Sequence, residues 1–475
     1  MSSRKLSICF ALLLVVSAAA AEGVRVKHGC RRGVLRQHSV TRRALASAAP
    51  DKYQGDRRQL VVLAEFSDFA FKESEPLALW SRIFNEENFS EAPFHGSVYD
   101  YFYAQSYGEF RLSFDLRHVV VGERAKYRST SDDDENSKYL VLDVLDSLES
   151  RHIDWAPYDW NGDGYVDQLL IVYAGKGQHD GGDSNTIWAH QWWLSYHEDC
   201  APRTVVSGDR ELLVDTYCCV PELGGGNNYG AFGTLCHEYS HCFGFPDFYD
   251  DNGKSCVGSW DLMDYGNYSG GGFCPCGYSA HERMLMGWGH VTELTSPTTV
   301  SNMQPLSEAG EAYLIRNDGW EDEYYIVENR QQSGWDQSLP GSGIVVFHID
   351  YDAEVWAFDW VNTSDKRRYT IFAANNSSSA YQSGWAYPYE DNDQLTNESQ
   401  PAAALNNTNP DGTLLMSKPI TNMTVTGGLA SFDFMAGSSA VTECTVRQPG
   451  QLLYRVGPIN IIRCSDGSVR KVMSK

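Results

Sequence analysis

The sequence predicts an α/β (α+β) domain followed by a β-rich, sandwich-like domain, and three observations predict it. Strand-like and helix-like patterns alternate from Gln59 to Trp288. Within that stretch a motif with two histidines four residues apart, His237 and His241, runs into a glycine at 244, as the end of a helix does. Past Trp288 helical spacing gives way to short β-branched and aromatic runs separated by Asn and Ser turns. At 475 residues and 42% hydrophobic, the chain is long enough for two or three domains and has the composition of a folded globular protein.

The chain opens with Arg4 and Lys5, an apolar run from Leu6 to Val16, then Ser17 and four alanines before Glu22. That is the layout of a secretory signal peptide, so residues 1–21 are expected to be removed and the product to be secreted and extracellular. Residues 22–58 carry paired arginines among alanines and serines with no amphipathic period, and they read as a basic arm or short propeptide. Cys30 within it is either a thiolate that reaches a metal and blocks it, or an ordinary disulfide or stray thiol. No later stretch approaches the ~20 apolar residues needed to span a bilayer.

Gln59 to Phe69 is β-branched and bounded by charge, so it reads as the buried strand that opens the folded region. Leu77 to Phe84 and Ser97 to Tyr107 have helical spacing; Phe110 to Val121 alternates as a strand does. Ser131 to Ser137 reads as a solvated loop and Lys138 to Leu148 as a helix. Next, Asp159, Asn161, Asp163, Tyr165 and Asp167 alternate about Gly164, the beginning of an EF-hand-type loop that sets oxygens around one cation. Leu170 stands where a bidentate Glu would close such a loop. The expectation is a structural calcium loop feeding a strand, Gln168 to Tyr173, against an Asx-rich turn that needs no metal. Thr186 to Leu194 reads as a strand whose free edge a peptide could join, with His190 a packed residue in it.

The stretch HEYSHCFGFPD, His237 to Asp247, is the one whose residue types and spacing dictate a chemistry. On a helix spanning Gly233 to Phe243, His237 and His241 share one face and can grip a single metal ion, with Glu238 beside it. Gly244 permits the left-handed backbone that turns the chain back and returns Asp247 to the same point. Two imidazoles and a carboxylate leave a tetrahedral zinc ion one open position, the mark of a catalytic site. Glu238 is then the general base. Downstream, Met263 sits in a tight segment, SWDLMDYG, either as core packing or as the residue beneath the metal. Tyr265 is placed to hydrogen-bond an oxyanion, against plain aromatic packing.

These residues resemble a family, the immune inhibitor A type of secreted bacterial metalloproteases, which are metzincin-like with an HExxHxxGxxD signature. The resemblance runs from about Gln59 to Met435 and rests on VVLAEFSD (61–68), YDWNGDGYVDQ (158–168), CHEYSHCFGFPDFYD (236–250), GSWDLMDYG with GYSAHERMLMGW (258–288), and ENRQQSGWDQSLPGSGIVVFHID (328–350). It implies zinc held by His237, His241 and Asp247, Glu238 as general base, Met263 as the Met-turn residue, and protein or peptide substrates.

On this reading residues 59–290 form the zinc protease domain and 291–436 a β-rich accessory domain, a buttress first and a carbohydrate-binding or substrate-positioning unit second. Residues 437–475 form a tail, either a small β module or a sorting signal that attaches the protein to the cell surface. Twelve cysteines suit an oxidising compartment and some disulfides, with Cys256, Cys274 and Cys276 in one group and Cys444 with Cys464 in another. Residues 59–475 hold 26 basic and 59 acidic side chains, so nucleic acid is excluded as a partner. The sequence sets no oligomeric state. The rival reading is a catalytically idle zinc-containing adhesin or extracellular binding protein, against which the intact Glu238 speaks.

Overall fold

The structure is a computed structural model that describes residues 51–128, 136–182, 186–197, 199–224, 228–230, 232–377 and 383–435, with the backbone of three further strands between 451 and 473. The expected signal peptide, most of the basic arm, Cys9, Cys30, Cys444 and Cys464 lie outside the described residues.

The first half contains strands β1 (Gly55–Phe66), β2 (Phe110–Val121), β3 (Tyr165–Val166), β4 (Leu169–Lys176), β5 (His190–Trp193), β6 (Arg203–Ser207), β7 (Arg210–Val214) and β8 (Thr216–Leu223). Five of them form the central sheet in the order β2-β1-β4-β8-β5. The first four run parallel, and β5 lies antiparallel to β8 at one edge. A parallel sheet has to be covered on both faces, which is why Leu60 to Ala64 in β1 is an unbroken apolar run with no solvent exposure. β1 begins earlier than its hydrophobicity suggests, because Gly55 to Arg58 pair with Phe110 to Ser113 of β2.

Helices α1 (Pro76–Asn85), α2 (Val98–Gln105) and α3 (Ser137–Glu149) pack on β2, and α4 (Phe232–His241) packs on β8 and β5. α1 starts with proline at its first position, where the missing N–H is no loss. α2 is fixed by a capping box in which Ser97 and Asp100 each bond the other's backbone N–H. The β6–β7 hairpin, turning at Gly208, has no counterpart in the sequence reading; with β3 it forms a small separate sheet.

After α5 (Ala280–Met286) come β9 (His290–Glu293), β10 (Thr298–Met303), β11 (Glu311–Asn317), β12 (Trp320–Arg330), β13 (Gly343–Asp350), β14 (Tyr369–Ile371), β15 (Ile420–Thr426) and β16 (Leu429–Phe434). They make a five-stranded sheet, β14-β13-β12-β11-β9, and a three-stranded one, β10-β16-β15. Alternation decides where the larger sheet sits. Tyr324, Ile326 and Phe347 face the core shared with the first half, whereas Tyr325, Val327 and Val346 face a second core shared with the smaller sheet. Arg330 adds a polar tie: fully buried, it pairs with Glu328 at 3.0 Å and Asp336 at 2.8 Å and donates to the carbonyls of Trp260 and Gly277. The fold is thus mixed α/β with several sheets. At the C-terminal end β17 (Gln451–Val456), β18 (Ile459–Arg463) and β19 (Val469–Met473) form an antiparallel meander.

The expectation of disulfides is not supported: none of the eight described cysteines forms one. The group at 256, 274 and 276 shows why. Cys274 Sγ faces the Trp335 carbonyl at 3.6 Å, Cys256 Sγ the Lys254 carbonyl at 3.6 Å, and Cys276 Sγ lies so close to Gly266 that an added Cβ there would meet it at 2.3 Å. The three sulfurs point to three different places. Among the described residues no helix is long and apolar enough to cross a membrane.

Candidate metal centre

Both histidines stand in the second half of α4, an almost wholly buried helix that ends at His241. Its start is pressed against the segment around Asn267, where a Cβ on Gly233 would come within 1.8 Å of the Asn267 carbonyl, so only glycine fits. Its end is the predicted turn. Gly244 takes φ +93° and donates its N–H to the His241 carbonyl at 2.9 Å, reversing the chain.

The reversal brings Asp247 back to the histidines. Its Oδ1 lies 3.1 Å from His237 Nε2 and 3.5 Å from His241 Nε2, and the two Nε2 atoms are 3.3 Å apart. All three side chains are buried. Each imidazole is oriented from behind: His237 Nδ1 donates to the Leu262 carbonyl at 2.9 Å, and His241 Nδ1 donates to the Phe245 carbonyl at 2.7 Å. A carbonyl only accepts, so Nδ1 carries the proton in both rings and a neutral ring turns a lone pair at Nε2 toward Asp247.

Three lone-pair atoms therefore meet at one buried point, an arrangement that repels itself unless positive charge enters. Donors about 2.0–2.1 Å from a tetrahedral zinc ion stand roughly 3.3 Å apart, which is the spacing of these three. The residues fit the metal. Where protons on Nε2 supply that charge in place of a metal, the same need shows: burial opposes charge on Asp247, but the positive charge of a protonated His241 and the hydrogen bonds from both histidines outweigh it and hold the carboxyl well below the usual range. Burial likewise opposes charge on His241, and the Asp247 carboxylate overcomes it, raising the imidazole to about 9. The site draws cationic charge to the meeting point.

Glu238 is fully buried, with a carboxylate oxygen within 4.8 Å of a ring nitrogen of each histidine. The turn at 262–263 braces the centre from two sides, because Leu262 holds His237 while the Met263 carbonyl accepts the N–H of Phe248, beside Asp247. Met263 itself is fully buried. Tyr265 is half-buried, and its hydroxyl donates to the Gly253 carbonyl at 3.1 Å. His190 is packed in β5, with Nδ1 2.8 Å from the Trp188 carbonyl.

Three neighbours escaped the sequence reading. Tyr249 donates its hydroxyl to Asp247 Oδ2, and the Asp359 carboxylate accepts the Asp247 N–H at 2.7 Å. His179, in the loop after β4, is close enough to His237 for their charges to interact. Burial, against the pull of Asp180, lowers His179 to about 4, and its Nδ1 accepts from the Ala189 N–H at 3.3 Å, leaving a neutral ring with a proton on Nε2. A signal existed for Tyr249 alone, two residues beyond the predicted ligand.

Two of the three carboxylates in the loop at 159–167 are paired with the protein's own cations: Arg210 with Asp159 at 3.0 Å and Lys52 with Asp167 at 2.9 Å. Asp163 Oδ1 accepts the N–H of Tyr165, and Asn161 Oδ1 that of Asp163, so the loop is built as Asx turns. The calcium expectation gains no support from it.

Residues 51–286 match the immune inhibitor A peptidase M6 catalytic domain. Through this stretch the chain belongs to the immune inhibitor A family of peptidases. Among curated proteins it is 28% identical over 299 residues to immune inhibitor A of Bacillus thuringiensis subsp. alesti, covering 51% of this chain and 42% of that one. It is 29% identical over 181 residues to the pre-pro-metalloprotease PrtV of Vibrio cholerae serotype O1 (strain M66-2), covering 33% of this chain and 19% of that one. The matched part thus spans less than half the length of either relative. In this peptidase family member the family match contains the histidines, Glu238, Asp247 and Met263, and it ends before Asp359.

Proposed function

We propose that the chain is a secreted zinc endopeptidase of metzincin-like architecture that hydrolyses peptide bonds in protein substrates. The observation that carries this reading is the convergence of His237 Nε2, His241 Nε2 and Asp247 Oδ1 within 3.1–3.5 Å, with the Glu238 carboxylate beside them. His237, His241 and Asp247 would hold the ion. Bound there, zinc supplies a Lewis acid that lowers the pKa of water and polarises the scissile carbonyl.

Glu238 takes the proton of the attacking water and returns it to the departing amine. Its burial on the helix next to His237 confines its side chain close to the two histidines. Buried Met263 is the Met-turn residue on this reading, and the carbonyls of Leu262 and Met263 hold the histidine helix and the Asp247 segment in register. β5 is an edge strand, and an extended peptide would add to its outer side through main-chain hydrogen bonds. Tyr265 serves the oxyanion only if its hydroxyl leaves the Gly253 carbonyl. Secretion rests on the N-terminal charged and apolar segment.

The reading is tested with an unfolded protein as substrate. Cleavage should cease when a chelator strips the metal and return when zinc is restored; cleavage at full rate by metal-stripped protein contradicts it.

A further inference from the structure

We infer that Asp359, from the second half of the chain, is a positioning residue for the metal centre: its carboxylate fixes the backbone that presents Asp247. The inference rests on the zinc reading above and adds a part that the family match, which ends at residue 286, does not contain.

Asp359 Oδ1 accepts the backbone N–H of Asp247 at 2.7 Å. A carboxylate on an amide N–H makes a short, charge-assisted bond. It fixes the peptide plane immediately before the Asp247 Cα, while Tyr249 holds Oδ2 at the far end of the same residue. The ligand is therefore gripped at its backbone and at its tip, and Oδ1 is left aimed at the two histidines.

The second half is shaped to deliver that carboxylate. A single helical turn, Ala353–Ala357, is followed by Asp359 with φ +58°, a left-handed conformation that costs most side chains but suits Asp, Asn and Gly. The segment after it stays docked on the Asp247 loop: Asn362 Nδ2 donates to the Phe248 carbonyl at 2.7 Å, the Ser364 N–H to Asp251 at 2.7 Å, and Arg367 pairs with Asp250 at 3.2 Å. Of these contacts, Asp359 makes the one that reaches the ligand residue itself. The β-rich half is then part of the metal centre's construction.

Full-length wild type, Asp359→Gly and Asp359→Asn are compared for zinc dissociation constant, by competition with a chromophoric chelator, and for the unfolding midpoint of the metal-stripped protein. Glycine removes the acceptor and keeps the left-handed backbone; asparagine keeps both. The expected result is zinc binding weakened by roughly 10- to 100-fold in Asp359→Gly, near-wild-type binding in Asp359→Asn, and similar midpoints for the three metal-stripped proteins. Should the glycine variant fail to fold, Asp359→Ser, whose oxygen is one bond too short, takes its place with the same expectation. Wild-type zinc affinity in a folded Asp359→Gly or Asp359→Ser protein overturns the inference and leaves the zinc reading standing. A wild type that binds no zinc overturns both.

Discussion

The hydroxyl of Tyr249 donates to Oδ2 of Asp247, two residues earlier in the chain, while Oδ1 of the same carboxylate faces His237 and His241. One oxygen is occupied so that the other is aimed. Tyr249→Phe should therefore weaken zinc binding by about tenfold or more and leave the fold intact, because the ring stays buried and loses only its hydroxyl. Chelator competition checks it, and an unchanged dissociation constant would remove Tyr249 from the centre.

Arg330 is the buried tie between the two halves, held by Glu328 and Asp336 with no solvent contact at the guanidinium. Arg330→Met should cost about 3–5 kcal/mol, since it leaves two carboxylates buried without their cation. Urea unfolding of wild type and variant measures the loss; a change under 1 kcal/mol would mean that the pair and the hydrophobic packing are interchangeable here.

How much of this was legible in the sequence follows from the range of the interactions. The two histidines, the glycine stop and the returning aspartate all lie within eleven residues, and local spacing revealed them. Strand β2 was legible end to end because Phe110 to Val121 alternates. Sheet order was not, because β1 lies between β2 and β4 for reasons of packing that no single stretch encodes. Asp359 reaches Asp247 across 112 positions, and His179 reaches the site from a loop with no motif spacing, so neither could be read in advance. Among the described cysteines the count gave no guide to pairing, because composition indicates a compartment, whereas a disulfide needs two sulfurs facing each other.

His281 is fully buried among Tyr324, Tyr351, Trp356 and Tyr369, and burial lowers its pKa to about 3 from 6.5. The folded state thus favours the neutral ring. Its contribution is fully present above pH 6.5 and is lost as the pH falls from there toward 3, at up to about 1.4 kcal/mol per pH unit. His281→Gln should flatten that part of the stability–pH curve relative to wild type. Parallel curves for the two proteins between pH 7 and 4 would contradict the assignment.

Tyr265 has its hydroxyl on the Gly253 carbonyl. If that loop bond is its role, Tyr265→Phe lowers kcat by less than about tenfold, well short of the 10²–10³ that loss of an oxyanion donor costs. A fall of that larger size, at unchanged KM and stability, would show that the hydroxyl changes partners during the reaction.

The central claim is that Glu238 works as a general base beside a zinc ion held by His237, His241 and Asp247. Its most direct test measures zinc content and cleavage of an unfolded protein, side by side, for wild type and Glu238→Gln. The account predicts equal zinc in both proteins, cleavage by the wild type, and loss of at least about 10² in rate for the variant. A zinc-loaded Glu238→Gln protein that cleaves as fast as wild type would contradict it.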